Sequence, residues 1–400
     1  MRPKRLMETS RSQQTGANVV TGHPSIAMFL SMKIQSSYAA LALALICTVP
    51  GNLFAGESKP SAPGAAPTPE TAVLVVRNQG FFPVALRLAD GRLAAVLRGG
   101  APHIGLAGRL DIVFSTDDGR TWTAPSLVVD GPLDDRNPAF GQAADGSLVL
   151  GYWECGYYDA AGQWAPNAPS ARARTLATRS TDGGRTWTKP EPIDLPGLKF
   201  GSPYGRILTM PDETMLMNIY GVMEGGRHDS SLLFRSKDHG KTWTRHSVIA
   251  ADGFNETSLA RLNDGTLAAA LRHDGAAGGP GENVWIALSK DNGLTWSAPI
   301  SLTPDRVHPA DLVVLQDGRL ALVAGDRRNP FGVVGIVGDA RGGFEWAAHR
   351  VLVDRLTNGD CGYPSAVALK DGAVLVVYYA VGSQSHPDWG VHAGALPWRP

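Results

Sequence analysis

Three arginines stand at the ends of similar apolar runs far apart in the chain: Arg98 closes RLAAVLR, Arg272 closes TLAAALR, and Arg327 comes just after LALVAG. A guanidinium presents a planar fork of donors that can hold a carboxylate through two parallel hydrogen bonds. Recurrence at one point of three separate runs argues against three unrelated surface side chains. Other reactive types gather at matching places. His103 lies in the loop beyond Arg98, DDRN occupies 134–137, and Glu154 follows LVLGYW. Tyr204, Arg206 and Tyr220 come next, then Asn255 and Glu256 in FNETS, His308 and Asp311 in VHPAD, Asp326 and Arg328 flanking Arg327, Asp360 and Tyr363 in GDCGYPS, and Tyr379 after VLVVY. Imidazole, carboxylate and phenol groups supply the parts for acid–base or nucleophilic catalysis.

Such distant residues meet only if repeated elements carry them to one place. The signals LADGRL, AADGSL, MPDETM, LNDGTL, LQDGRL and LKDGAV put Asp90, Asp145, Asp212, Asp264, Asp317 and Asp371 at intervals of 55, 67, 52, 53 and 54 residues. Asp-Gly between apolar runs marks a β-hairpin, because Gly accepts positive φ and Asp bonds neighbouring backbone. A second phrase, STDDGRTW, STDGGRTW, SKDHGKTW and SKDNGLTW, recurs from Ser115, Ser180, Ser236 and Ser289, and GGFEW ending at Trp346 is a worn fifth copy. Four antiparallel strands repeated about every 55 residues predict an all-β fold, a six-bladed β-propeller with four-stranded blades. TAVLVV at 71–76 should close the ring as the missing strand of the sixth blade, since an unpaired edge is a liability. The Ser, Asp and Gly of the repeated phrase stitch a turn. Trp122, Trp187, Trp243 and Trp296 should be largely buried on the face away from Tyr363. Four equivalent copies cannot share one active site, so chemistry is expected at the opposite mouth, where first strands begin and second strands end.

Composition agrees with this class and narrows the partners. The 400 residues carry 37 basic and 37 acidic side chains, so no net field draws the chain to nucleic acid or a membrane surface. Residues 1–31 read as an over-called or unpatterned extension, 32–55 as a signal peptide with an apolar stretch over 38–49, and 56–70 as a Pro-, Ala- and Ser-rich linker. The folded unit is expected over 71–400, exported to the periplasm or the extracellular space, monomeric and without a membrane span once the signal is removed. Cys47 falls in the signal, and Cys155 and Cys361 are expected as two buried free thiols. The spacing of Cys and His suggests no metal site, and no phosphate loop or HExxH is present. Asp134 and Asp135 are expected to meet Arg136 rather than calcium, so no cofactor is expected.

The repeated phrases, six hairpin signals and exported chain resemble the sialidase superfamily, whose six-bladed propellers carry such Asp boxes. That resemblance implies roles. Arg272 and Arg327 match the second and third members of an arginine triad that grips a substrate carboxylate, with Arg328 as a substitute for Arg327. Tyr363 matches the nucleophilic tyrosine and Glu256 its activating glutamate. A phenol has a pKa near 10, so a carboxylate must take its proton before attack. Arg98 matches a further arginine near the acid/base loop. The departures are equally specific: Phe81 or Phe82 replaces the first triad arginine, Tyr379 replaces the glutamate that would steady it, and RGGAPHIGLAGR offers His103 in place of an acid/base aspartate.

Three function classes follow. The first is an exo-glycosidase that releases a terminal anionic sugar, sialic acid or a relative, with Tyr363, Glu256 and His103 catalytic and Arg98, Arg272 and Arg327 or Arg328 binding. The second is a lyase acting on uronic acids by β-elimination, with arginine stabilising the enolate-like intermediate. The third is a propeller that binds glycans without turnover.

Overall fold

The computed structural model describes residues 72–168, 171–275 and 281–400, all within one compact unit, Pro63–Pro400. The expected extension, signal segment with Cys47, linker and Thr71 lie outside the described residues. The fold is all-β. After β1 (Val73–Arg77), the chain forms β2 (Phe81–Arg87), β3 (Leu93–Gly99), β4 (Arg109–Ser115) and β5 (Ser126–Val129). Next come β6 (Asp134–Gln142), β7 (Leu148–Gly156), β8 (Arg172–Ser180) and β9 (Glu191–Pro192), then β10 (Ser202–Thr209), β11 (Met215–Val222), β12 (Asp229–Ser236) and β13 (Thr244–Ala250). β14 (Phe254–Arg261), β15 (Leu267–Asp274), β16 (Glu282–Ser289) and β17 (Ile300–Ser301) precede β18 (Val307–Val314), β19 (Leu320–Asp326), β20 (Phe331–Gly338) and β21 (Arg350–Leu356). The chain ends with β22 (Cys361–Ala368), β23 (Val374–Ala380) and β24 (His392–Trp398).

Within each run, consecutive strands pair antiparallel. β2–β5 form one four-stranded sheet, and β22, β23 and β24 form another with β1 as its fourth strand. Val73 lies opposite Ala395 and Arg77 opposite His392. The other two sheets have eight strands each, not the expected four. Short parallel contacts cause this, placing Gly205 opposite Ala139 between β10 and β6, and Asn283 opposite Val307 between β16 and β18. Each lies beside a bulge, where backbone groups lack a partner in their own run and bond the neighbour instead. Apolar clusters fill the space between successive runs; Leu93 and Val113, for example, pack with Leu375 and Ala395.

The repeated turns behave as their residues dictate. In LKDGAV, Gly372 has φ +83 and the Ala373 amide donates to Asp371 Oδ1 at 3.1 Å. MPDETM lacks the glycine and puts Glu213 at φ +66 instead. In the first long phrase, Ser115 Oγ donates to Asp117 Oδ1 at 2.8 Å and accepts from the Gly119 amide at 2.9 Å, while the Thr121 amide and hydroxyl donate to Asp117 at 2.9 and 2.6 Å. These bonds, led by that from the Thr121 hydroxyl, hold the Asp117 carboxyl down to about 2. The threonine was not singled out in the sequence. Trp243 is buried, but Trp122, Trp187 and Trp296 are only half-buried, because each ring covers the edge of a cluster rather than its centre. The phrases sit at the far end of the ladder from the arginines: Ser115 lies opposite Leu93 and Ser289 opposite Leu267, whereas Arg98 and Arg272 lie opposite Leu110 and Val284. Cys155 and Cys361 are free and buried, and burial pushes their thiols up to about 12 and about 11.

Candidate active site

One irregularity recurs at the arginine end of the strands. The register slips between Phe81 and Val84, Arg136 and Ala139, Tyr204 and Leu208, Phe254 and Thr257, Val307 and Ala310, and Gly362 and Ser365. A bulge turns its side chain out of the alternating pattern. Phe82, Asn137 and Tyr363, each followed by proline, adopt φ of +53, +52 and +43 there. Glu256 lies within the β14 slip, so two bulges aim Glu256 and Tyr363 at each other across 107 positions of sequence.

Tyr363 Oη donates to Glu256 Oε1 at 2.7 Å, and Arg272 Nη1 donates to Glu256 Oε2 at 2.7 Å and reaches Tyr363 Oη at 3.4 Å. The Arg327 guanidinium lies 5.2 Å from the centre of the Tyr363 ring. Burial pushes the Glu256 carboxyl up, but Arg272 and the two hydrogen bonds outweigh it and keep the group below its ordinary value, ionised at neutral pH. Burial and the charge of Glu256 raise the phenol of Tyr363 well above its ordinary value, against the pull of both arginines. Tyr363 is therefore a resting phenol with an acceptor for its proton in place. Among the described residues, Arg327 Nε and Nη2 and Arg272 Nε are buried and meet no acceptor. Unpartnered buried guanidinium donors are costly unless an anion completes them.

A second pair faces this group across Phe82, whose ring centre is 4.9 Å from those of both Tyr363 and His103. His103 Nδ1 and Asp360 Oδ1 lie 2.6 Å apart, and Tyr379 Oη donates to the same oxygen at 2.6 Å. Burial lowers the imidazole pKa below its ordinary value although Asp360 opposes this. Asp360, 257 positions from His103, is among the strand-end residues of the sequence, but nothing in the sequence pairs it with the imidazole.

Two expected binding residues stand elsewhere. Arg98 is fully buried, and all five of its N–H groups are taken: Nε and Nη2 by Asp134 Oδ1 at 2.9 and 2.6 Å, Nη1 by the carbonyls of Ala101 and Pro102, and Nη2 also by that of Gly105. It shapes the His103 loop and has no donor left for a substrate. Arg328 forms a two-pronged ion pair with Asp326 at 2.8 and 2.7 Å, so Arg327 alone of the two meets Tyr363. Neighbouring residues point to opposite sides of an extended chain, which separates them. Of the two carboxylates expected to meet Arg136, Asp134 does, through Oδ2 at 3.2 Å, whereas Asp135 turns to the Gly131 amide, which donates to its Oδ2 at 2.6 Å. The Arg136 guanidinium also lies 5.5 Å from the centres of Phe82 and Trp164, bringing a further cation to the edge of the site. Among the described residues no group of three or more His, Cys, Asp and Glu side chains could hold a metal ion, and no helix is long and apolar enough to cross a membrane.

Residues 91–376 match the family described as BNR repeat-like domain. A sialidase of Bacteroides fragilis (strain YCH46) is 25% identical over 222 residues, covering 50% of this chain and 39% of that protein. The chain thus aligns with well under half the length of this relative. Among solved structures, a protein of unknown function from Dyadobacter fermentans superposes with a TM-score of 0.70 at 25% identity, covering 82% of this chain and 97% of the other. The Hadza microbial sialidase Hz136 does so with a TM-score of 0.60 at 19% identity, covering 80% and 66%.

Proposed function

We propose, for a chain that belongs to the BNR repeat-like family of the sialidase superfamily, that it is an exo-glycosidase releasing a terminal anionic sugar, sialic acid or a relative, from glycans. The reading extends to a six-bladed propeller, with β1 completing the last blade, and to export, on the strength of the apolar run between Met32 and Ala55. One observation carries it: the Tyr363–Glu256 hydrogen bond of 2.7 Å beside two arginines with unpartnered donors.

Arg272 and Arg327 hold the substrate carboxylate. Glu256 takes the phenolic proton as Tyr363 Oη bonds to the anomeric carbon, a neutral nucleophile approaching an anionic sugar without charge repulsion. The bond to the leaving oxygen breaks, and that oxygen takes a proton from His103 Nε2 while Asp360 steadies the imidazole through Nδ1. Water then attacks the anomeric carbon, its proton going to His103. The Tyr363 oxygen leaves and recovers its proton from Glu256. One water is consumed and both pairs return to their starting states.

The test is Tyr363→Phe, which removes one oxygen and conserves the ring. Hydrolysis of sialosides or related acidic glycosides should fall by at least about 10³-fold while binding of the released sugar stays within a few-fold. Full turnover by the variant would rule the mechanism out. The His103–Asp360 pair also suits proton abstraction from a uronic acid. That second reading predicts an unsaturated product absorbing in the near ultraviolet.

A further inference from the structure

A cavity of about 430 Å³ opens on the face of the repeated turns, at the other end of the strands from the mouth. Arg235 on β12, Lys237 just beyond it and Arg261 at the end of β14 line it. Among the described residues none of these three side chains forms an ion pair or a hydrogen bond. Elsewhere on this face cations are compensated: Asp90, Asp145, Asp317 and Asp371 of the hairpin turns each pair with an arginine, at 2.8, 3.1, 2.7 and 2.7 Å. Arg179, just before Ser180, supplies the pair with Asp145. Arg235 holds the same place before Ser236, yet it stays half-buried and unpaired although Asp212 shares its cavity. Asp212 Oδ1 accepts from the Thr214 amide instead, at 3.1 Å. Asp291, the other acid of the lining, is bonded by the Ser289 hydroxyl and by the Thr295 amide and hydroxyl at 2.8, 2.9 and 2.6 Å. His246 Nε2 donates to the Asn292 carbonyl at 3.0 Å. Burial, with Arg235 and Lys237, lowers the pKa of that imidazole below its ordinary value, so it is neutral at pH 7.

Three cations against two carboxylates leave one net positive charge in the lining. A sulfate ester carries a single negative charge and matches it, whereas a phosphate monoester carries about 1.5–2 near pH 7. The cavity is larger than an inorganic oxyanion and falls within the range of about 300–1,000 Å³ typical of small-molecule sites. Met210 and Leu216 are buried and Leu294 is exposed, giving apolar surface for the C–H face of a sugar ring, while Thr214 and Asn292 offer a hydroxyl and an amide to its edge. We propose that this cavity is a second binding site and takes a sulfated saccharide, its sulfate ester held by Arg235, Lys237 and Arg261. The site does not depend on the glycosidase reading, because none of its residues bonds to Tyr363, Glu256, Arg272 or Arg327. A chain bound here leaves the mouth open.

Calorimetry on the full chain at low salt, where surface charge is least screened, tests this with a monosulfated disaccharide, its unsulfated parent, the matching phosphate ester, sodium sulfate and a phosphoserine peptide. The sulfated disaccharide should bind most tightly and its parent not measurably. Arg235→Gln should weaken that binding by about tenfold to 100-fold, the loss expected for a hydrogen bond to a charged group. Arg319→Gln, which removes an exposed and paired arginine of the same face, should change it less than twofold. An anion beside Arg235 and Lys237 also offsets their charge, so the His246 resonance in NMR should titrate at higher pH with the disaccharide bound. Disaccharide binding that Arg235→Gln leaves intact, or that leaves His246 unmoved, lies elsewhere on the molecule and overturns the site. Sodium sulfate, the phosphate ester or the phosphoserine peptide binding as tightly as the sulfated disaccharide overturns the saccharide assignment, and so does the absence of any disaccharide binding.

Discussion

The chemistry turns on which side chains keep free valences. Arg98 and Arg272 end matching runs in the sequence, yet Asp134 and three carbonyls enclose the first while Glu256 and Tyr363 meet the second. Residue type and position were legible; the partners that decide the role lie 36 positions away for Arg98, and 16 and 91 positions away for Arg272. The Tyr363–Glu256 pairing could be anticipated from equivalent strand ends, whereas His103–Asp360 depends on a loop whose path no repeat specifies. That second pair carries a pH prediction. Because burial lowers the His103 pKa, its protonated form is lost as pH rises through a value below the ordinary 6.5. Turnover of an oligosaccharide substrate should therefore fall on the alkaline side of that value, since the leaving oxygen needs a proton. An aryl glycoside with an acidic phenol needs none and should lose this limb of the profile. His103→Gln should lower kcat/KM for the oligosaccharide by about 10²–10⁴-fold and remove its alkaline limb, with kcat/KM for the aryl glycoside lowered less than tenfold, because that constant ends at formation of the glycosyl-enzyme, before water gives its proton to His103. Identical pH profiles for the two substrates in the wild-type protein would remove His103 from the acid role.

Strands and turns were easier to read than bulges. The hairpin and the long phrase close within a few residues, as in Ser115–Asp117–Thr121, so their hydrogen bonds are written locally. A bulge depends on what the neighbouring strand allows, and only the prolines after Phe82, Asn137 and Tyr363 hinted at one. Gly362 shows how closely the β22 bulge is fitted. Its φ is +93, and a Cβ there would lie 2.7 Å from the Gly325 Cα, a backbone atom that cannot step aside. Gly372, in the hairpin of the same sheet, also has positive φ but faces open space. Gly372→Ala should therefore cost about 1–2 kcal/mol of stability, the left-handed penalty alone, and leave kcat unchanged. Gly362→Ala should cost about 2–5 kcal/mol, because overpacking adds to that penalty. It should also lower kcat about 100-fold by displacing Tyr363 by an ångström or so. Urea unfolding and initial rates separate the two; equal effects would mean that the bulge does not position the phenol.

At the scale of the molecule, the strand runs need a joint that their apolar contacts alone do not specify. Arg206, on β10, pairs with Asp311 Oδ2 on β18 at 3.1 Å and donates to the carbonyls of Leu312 on β18 and Ala366 on β22 at 3.0 and 2.5 Å. Asp311 in turn accepts from Ser258 Oγ on β14 and from Ser365 Oγ and the Ala366 amide on β22. Both residues were inventoried in the sequence as polar groups of the mouth. They are instead largely buried, with side chains 16% and 8% exposed, and tie five runs together, since Arg206 Nη2 also donates to the Ala85 carbonyl on β2 at 3.4 Å. Polar type alone could not distinguish these places, since both lie in first strands. Removing one partner of such a pair leaves a buried charge uncompensated, which typically costs about 3–5 kcal/mol. Arg206→Met should destabilise the protein by that amount in urea, in one cooperative transition because the joint is shared. Adding Asp311→Asn keeps an acceptor for Ser258 and the amides but removes the stranded charge, so the double variant should recover about 1–2 kcal/mol. Kinetics well below the unfolding midpoint should be unchanged in both, because neither side chain bonds to Tyr363, Glu256, Arg272 or Arg327. A single-variant loss under about 1 kcal/mol, small against the cost expected for a broken buried pair, would mean that shape complementarity between the runs, and not this ion pair, sets how they are joined.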